Sequence, residues 1–218
     1  MSVTPEQVEA GQSLYTKRTL VVYDFVVLGA SNQFIWKCPT QRLVNHYNKN
    51  VTANHLDVGV GSYFLERCQF PSSTPRVALM DLNSNTLEFA AQRIVQHKPE
   101  TYRRNVLDPI FLDAGKFDSI GINYLLHCLP GSIESKSVAF DHLKALMNPK
   151  AIVFGSTLLQ GGVQRNWFAK HLMDAYNRKG IFSNQQDDLE GLKQVLSKRF
   201  RNVSVEVVGC AALFLGQV

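Results

Sequence analysis

Apolar residues along this chain fall into two spacings. The segments 55–59, 76–81, Phe117-Asp118-Ser119-Ile120-Gly121-Ile122-Asn123 and 151–157 are short apolar runs bounded by turn residues. Such runs predict strands buried on both faces. Between them the spacing becomes helical. A helix is predicted to start near Ser62, and another carries Leu87, Ala90, Ala91, Ile94 and Val95 on one face, with Asn85 and Glu88 at capping-box spacing. Phe140, Leu143 and Leu146 mark a third helix that Pro149 stops, and Asp187 and Asp188 open a fourth around Leu189, Leu192, Val195 and Leu196. Strands that alternate with helices predict an α/β fold, a parallel sheet covered on both faces. The chain ends differently: runs at 203–208 and 211–215 are separated only by Gly209-Cys210, a link too short for a parallel crossover, so this pair is antiparallel.

Ahead of the first strand, Leu14, Leu20, Val21, Tyr23, Phe25, Val27, Leu28, Phe34, Ile35 and Trp36 make an arm too apolar to be a loose tail, and Leu43, Val44 and Tyr47 restart a helical stripe after Pro39. We expect a single domain in which residues 1–53 form a helical cap or lid over a 54–218 core. Tyr15, Tyr23 and Trp36 are its candidate substrate contacts, although aromatics in an amphipathic arm serve more often as core.

The 218 residues, 45% hydrophobic and 19% charged, suit one large globular domain. The net charge of +5 is spread thinly; Arg103-Arg104 and Lys198-Arg199-Phe200-Arg201 are the densest basic spots, and both read as solvated faces rather than a nucleic-acid footprint. Cys38, Cys68, Cys128 and Cys210 are far apart, which suits free thiols in a reducing compartment. The six histidines show no metal-ligand spacing, so no metal is expected. No apolar stretch is long enough for a bilayer and no signal-peptide pattern opens the chain, so a cytoplasmic protein is expected, a monomer or homodimer with no membrane or nucleic-acid partner.

The chemistry concentrates after the first strand. In Asp57-Val58-Gly59-Val60-Gly61 an acid ends an apolar run and glycines follow at alternate positions. Glycines let backbone N–H groups approach a ligand, and a following helix adds partial positive charge. About twenty residues on, Asp81 ends the next run, where a carboxylate can accept both ribose hydroxyls.

Together these segments resemble the class I S-adenosylmethionine-dependent methyltransferases, from about residue 54 to the end. The resemblance implies a Rossmann-like, doubly wound, mostly parallel seven-stranded sheet with an antiparallel C-terminal hairpin and helices on both faces. It also implies S-adenosylmethionine as cofactor and a small organic molecule as methyl acceptor. By the same resemblance Asp57 orients the methionine end, Gly59 and Gly61 line its approach, and Asp81 holds the ribose. Leu82 and Val106 flank the adenine, Asn105 meets its amino group, and Asn123 and Tyr124 contact cofactor or substrate. His127, in Leu125-Leu126-His127-Cys128-Leu129-Pro130 beside the transferring methyl, is the candidate general base, since an ordinary imidazole titrates near neutrality. The segment 177–183 falls where this fold caps the substrate pocket.

One departure stands out. The family pattern has a third glycine, and Tyr63 occupies its place here. This keeps a second reading open: a protein of the same fold that binds the cofactor without methyl transfer, as a binding module or a catalyst of rearrangement or cyclisation. A nicotinamide-dependent oxidoreductase fits less well, because the acid precedes the glycines and Phe64 breaks the G-x-G-x-x-G spacing. A nucleic-acid methyltransferase is a minor alternative.

Overall fold

The computed structural model describes residues 25–61 and 63–218; Tyr15 and Tyr23 lie outside them. A wide π-type helix, Phe25–Ile35, leads into α1, Thr40–Asn50. The strands are β1 (Asn54–Val58), β2 (Arg76–Asp81), β3 (Glu100–Arg103), β4 (Phe117–Asn123), β5 (Met147–Leu158), β6 (Arg201–Val208) and β7 (Ala211–Gln217). The other α-helices are α2 (Ser84–Arg93), α3 (Ile133–Lys136), α4 (Val138–Lys144), α5 (Trp167–Arg178) and α6 (Leu189–Ser197).

The strands form one seven-stranded sheet in the order β3-β2-β1-β4-β5-β7-β6. Pairing is parallel from β3 across to β5, and β7 is antiparallel to both β5 and β6. The terminal hairpin is therefore as the two-residue link requires. Because successive strand residues face opposite ways, each central strand feeds two cores. Leu56, Val58, Ala78, Met80, Ile120 and Ile122 pack with Ile133, Phe140, Leu143, Leu192 and Leu196 on one face. Val77, Leu79 and Phe154 pack with Leu43, Tyr47, Leu87, Ala90 and Met173 on the other.

Several local expectations change; the helix around Phe140 and Leu143 ends at Lys144, and Pro149 lies within β5. No α-helix starts near Ser62; a five-residue 3-10 helix, Tyr63–Arg67, stands there instead, so the loop gains little helix dipole. The cap of α2 is Asn83, whose side chain accepts from the Asn85 amide, so Asn85 and Glu88 form no capping box. The strand Glu100–Arg103 is not announced by the sequence because Glu-Thr-Tyr-Arg, at the sheet edge and half-exposed, carries no apolar run.

One polar contact inside the core fixes the loop before α6. Lys136 and Asp187 form a 2.8 Å ion pair with both side chains fully buried. Lys136 also donates to the Ser183 carbonyl at 2.6 Å. Burial pushes Lys136 down and Asp187 up from their usual ranges, and each holds the other charged. Removing one partner leaves a lone buried charge. Lys136→Met is expected to cost about 3–5 kcal/mol in urea unfolding, and adding Asp187→Leu should recover most of that loss.

Candidate functional site

Strand order reverses between β1 and β4, which lie side by side while their following connections leave in opposite directions. Such a switch point opens a crevice at the carboxyl ends of the strands. Here it is about 370 Å³ of open space lined by Leu43, Asp57, Gly59, Val60, Phe64, Leu65, Asn123 and Tyr124. Of the residues singled out from sequence, it therefore brings together Asp57, Gly59, Asn123 and Tyr124.

The loop after β1 is shaped by backbone need. Gly59 adopts φ +79°, and a Cβ there would meet the Leu125 side chain at 3.0 Å. Its amide donates to the Met80 carbonyl at 2.9 Å, and the next amide, Val60, donates to Asp81 Oδ2 at 3.0 Å. Asp81 Oδ1 accepts from the Asn83 amide at 2.8 Å. Burial raises the pKa of Asp81 from its ordinary value, and these backbone donors oppose the rise. Each carboxylate oxygen retains acceptor capacity beyond those bonds. Asp81 is thus oriented by the same loop that lines the crevice, although it does not itself line it.

The other candidates are less gathered. Leu82 and Asn105 are half-buried outside the crevice, and the Asn105 side chain accepts from the Leu107 amide at 3.1 Å. Val106 is core, 5% exposed, with its carbonyl bonded to His142. Gly61 is half-buried beside the crevice.

At the end of β4, Asn123 Oδ1 accepts from Ser156 Oγ at 3.2 Å, while its Nδ2 is buried with no partner. A buried donor left unmade costs about 1–3 kcal/mol, so it marks a place for an acceptor from outside the chain. Tyr124 follows with φ +55°, a conformation that bulky residues rarely adopt. Its amide donates to the Ser156 carbonyl and its hydroxyl to Asn32 Oδ1 at 3.1 Å, and Asn32 in turn bonds Thr40. These contacts hold the strained backbone.

Tyr124 also borders a second, smaller cavity, shared with Ser31, Trp36, His127, Leu158, Tyr176 and Phe182. Trp36, 2% exposed, is both core and wall. Tyr176 and Phe182 come from the end of α5 and the segment after it, which the sequence marks only as a region; Arg178 between them is exposed. Phe182 packs edge-on against His127 at 4.5 Å.

His127 is not built as a base. It is 2% exposed, and its Nδ1 accepts from the Leu158 amide at 3.3 Å, so the neutral ring carries its proton on Nε2 and has no free lone pair. Burial, with Lys136 nearby, lowers its pKa to about 3. Among the described residues no group of three His, Cys, Asp or Glu side chains is placed to hold a metal, and no helix is long and apolar enough to cross a membrane.

No family model matches the chain. It is 37% identical over 210 residues to demethylluteothin O-methyltransferase of Streptomyces thioluteus, spanning 96% of this chain and 91% of that protein. This chain belongs to the class I S-adenosylmethionine-dependent methyltransferase family. A second methyltransferase relative, the physcion biosynthesis cluster O-methyltransferase of Aspergillus chevalieri, is 35% identical over 209 residues, 94% of each chain. Among solved structures, the DhpI complex with S-adenosylhomocysteine shares the fold at a TM-score of 0.68 and 12% identity, over 99% of this chain and 98% of that one.

The methyltransferase's crevice suits the family's cofactor. Asp57, Asn123 with its unpartnered amide nitrogen, and the positive-φ Gly59 line it together, and these groups fit an amino-acid end.

A pH experiment checks the state of His127. A ring kept neutral in the fold but free to protonate when unfolded contributes stability that is fully present above its ordinary value of 6.5 and is lost as pH falls toward about 3. Urea midpoints of the wild type should drop from pH 7 to pH 4 more steeply than those of His127→Gln. Equal slopes would mean the ring is charged or exposed.

Proposed function

We propose that this protein transfers a methyl group from S-adenosylmethionine, held in the crevice, to a heteroatom of a small planar molecule held in the adjoining aromatic cavity. The observation that carries this reading is Tyr124, which lines both spaces and is locked in a strained conformation between them. Oxygen is the favoured acceptor atom, since the relatives above are named as O-methyltransferases. Bound there, the cofactor would supply an electrophilic methyl carbon open to a lone pair, with the methyl–sulfur bond breaking and S-adenosylhomocysteine as the leaving group.

The chain's residues then have separate tasks. Asp57 and the Asn123 amide take the charged amino-acid end, and Asp81 takes the ribose. Gly59 and Gly61 allow close backbone approach, while Leu82, Asn105 and Val106 border the adenine side. Trp36, Tyr124, Tyr176 and Phe182 hold the acceptor by ring contact and exclude water, which sharpens alignment for an in-line displacement. His127 Nε2–H acts as a fixed donor that orients the acceptor. Its low basicity means that the acceptor arrives with an available lone pair or loses its proton elsewhere. The protein works in the cytoplasm as a monomer or homodimer.

Calorimetric titration with S-adenosylhomocysteine is the direct test. Asp81→Ala should weaken binding by about 1–3 kcal/mol, the scale of lost charge-assisted hydrogen bonds. Unchanged affinity removes Asp81 from the site. Saturable binding without methylation of any hydroxylated aromatic in a metabolite panel would favour a cofactor-binding role without transfer.

A further inference from the structure

Behind the crevice lies a buried polar chain that no motif in the sequence announces. His55 on β1 is fully buried, its ring stacked on Phe154 at 5.7 Å and met edge-on by Tyr47 at 5.4 Å. Its Nδ1 lies 2.7 Å from Ser119 Oγ on β4, and its Nε2 lies 3.4 Å from Asp57 Oδ2. Ser119 Oγ accepts from the Thr52 amide at 3.0 Å and touches Thr52 Oγ1 at 2.9 Å. The register pairs His55 with Ser119 and Asp57 with Gly121 across β1 and β4. Gly121 leaves room for the chain: a Cβ there would stand 3.2 Å from both Asp57 Oδ2 and the His55 ring.

The composition is that of a Ser–His–Asp triad, but it runs the other way. In a hydrolase the serine meets the substrate. Here Ser119 and His55 are sealed in the core, and the carboxylate is the member that faces the crevice. No ligand can reach the hydroxyl, so the chain acts on the carboxylate.

Resting on the reading of the crevice as the cofactor site, we propose that His55 is a positioning residue for Asp57. Ser119 donates to Nδ1, which places the ring proton on Nε2, and that N–H holds Asp57 Oδ2 from behind. The carboxylate then presents a fixed face to the cofactor's amino end. Tyr47 stands beside the same carboxylate with its hydroxyl buried; burial first, and then the Asp57 charge, push the Tyr47 pKa up, so the phenol stays protonated and adds no competing charge.

Two measurements on the full-length protein test this. Long-range ¹⁵N–¹H NMR of the imidazoles reads the tautomer without any cofactor, and the Nε2–H form is expected for His55. Titration with S-adenosylhomocysteine should then show a loss of about tenfold or more in Ser119→Ala and His55→Phe, with partial rescue in His55→Gln, whose amide can still donate to Asp57. Gly121→Ala, which crowds the carboxylate directly, should lose affinity likewise. Thermal midpoints show which variants fold; should His55→Phe fail to, Ser119→Ala carries the test, because it leaves ring and carboxylate in place. An Nδ1–H tautomer, or affinities within twofold of the wild type in folded variants, overturns the role. If the wild type itself binds no S-adenosylhomocysteine, the reading of the crevice fails and the role fails with it, even with the expected tautomer.

Discussion

A parallel sheet whose chain turns back at its centre cannot cover both of its middle strands at their carboxyl ends. The connection after β1 leaves toward β2, and the one after β4 leaves toward β5. The gap between them is a consequence of pairing β1 directly with β4. Everything chemical in this protein is arranged around that gap: an acid and a glycine from one side, an orphaned amide and a strained tyrosine from the other. The two hydrophobic cores pack both faces of the sheet beneath it, and the loops after β1 and β4 complete the crevice.

The same pairing explains why polar groups are tolerated so deep in the sheet. Burying Asp57 among aromatic side chains would be costly on its own. His55, two residues back on the same strand, meets it from the protein side, Ser119 meets the far side of the His55 ring, and Gly121, the partner of Asp57 in register, supplies the space. Nearer the second cavity Lys136 and Asp187 solve the same problem with a full ion pair, and Lys136 also holds the Ser183 carbonyl beside Phe182. Buried polarity here serves to place elements that border the two cavities, rather than to add stability for its own sake.

Much of this is legible in the amino-acid sequence. Asp57, Gly59 and Asp81 stand out because an acid at a strand end and a glycine just past one are patterns local in sequence, and the structure places Asp57 and Gly59 in the crevice. The terminal hairpin is forced by a two-residue link. What stays hidden is long-range. His55 reads as the first polar residue of an apolar run, and only the register shows that Ser119 and Gly121 are its neighbours. A signal is present, since small residues alternate along strand 117–123 where a sheet interior usually carries branched ones. Lys136 and Asp187 are 51 residues apart and look like ordinary surface charges. The role of His127 is hidden for a related reason: its type suggests a base, but the Leu158 amide decides which nitrogen holds the proton.

Tyr63, in the place of the family's third glycine, bears on how the family pattern can vary. In the usual layout a third glycine and a long helix deliver backbone donors and a dipole to the cofactor. Here the 3-10 helix is only five residues long, so that contribution is small. The loop is instead tied to the sheet: Gly59 donates to the Met80 carbonyl and Val60 to Asp81. Side-chain groups remain to recognise the ligand's polar end, namely Asp57 held from behind and the unpartnered Asn123 amide. A weaker dipole raises the demand on how well those groups are aimed. In such a site, a histidine that only orients a carboxylate has more influence on binding than it would beside a full glycine-rich turn and helix.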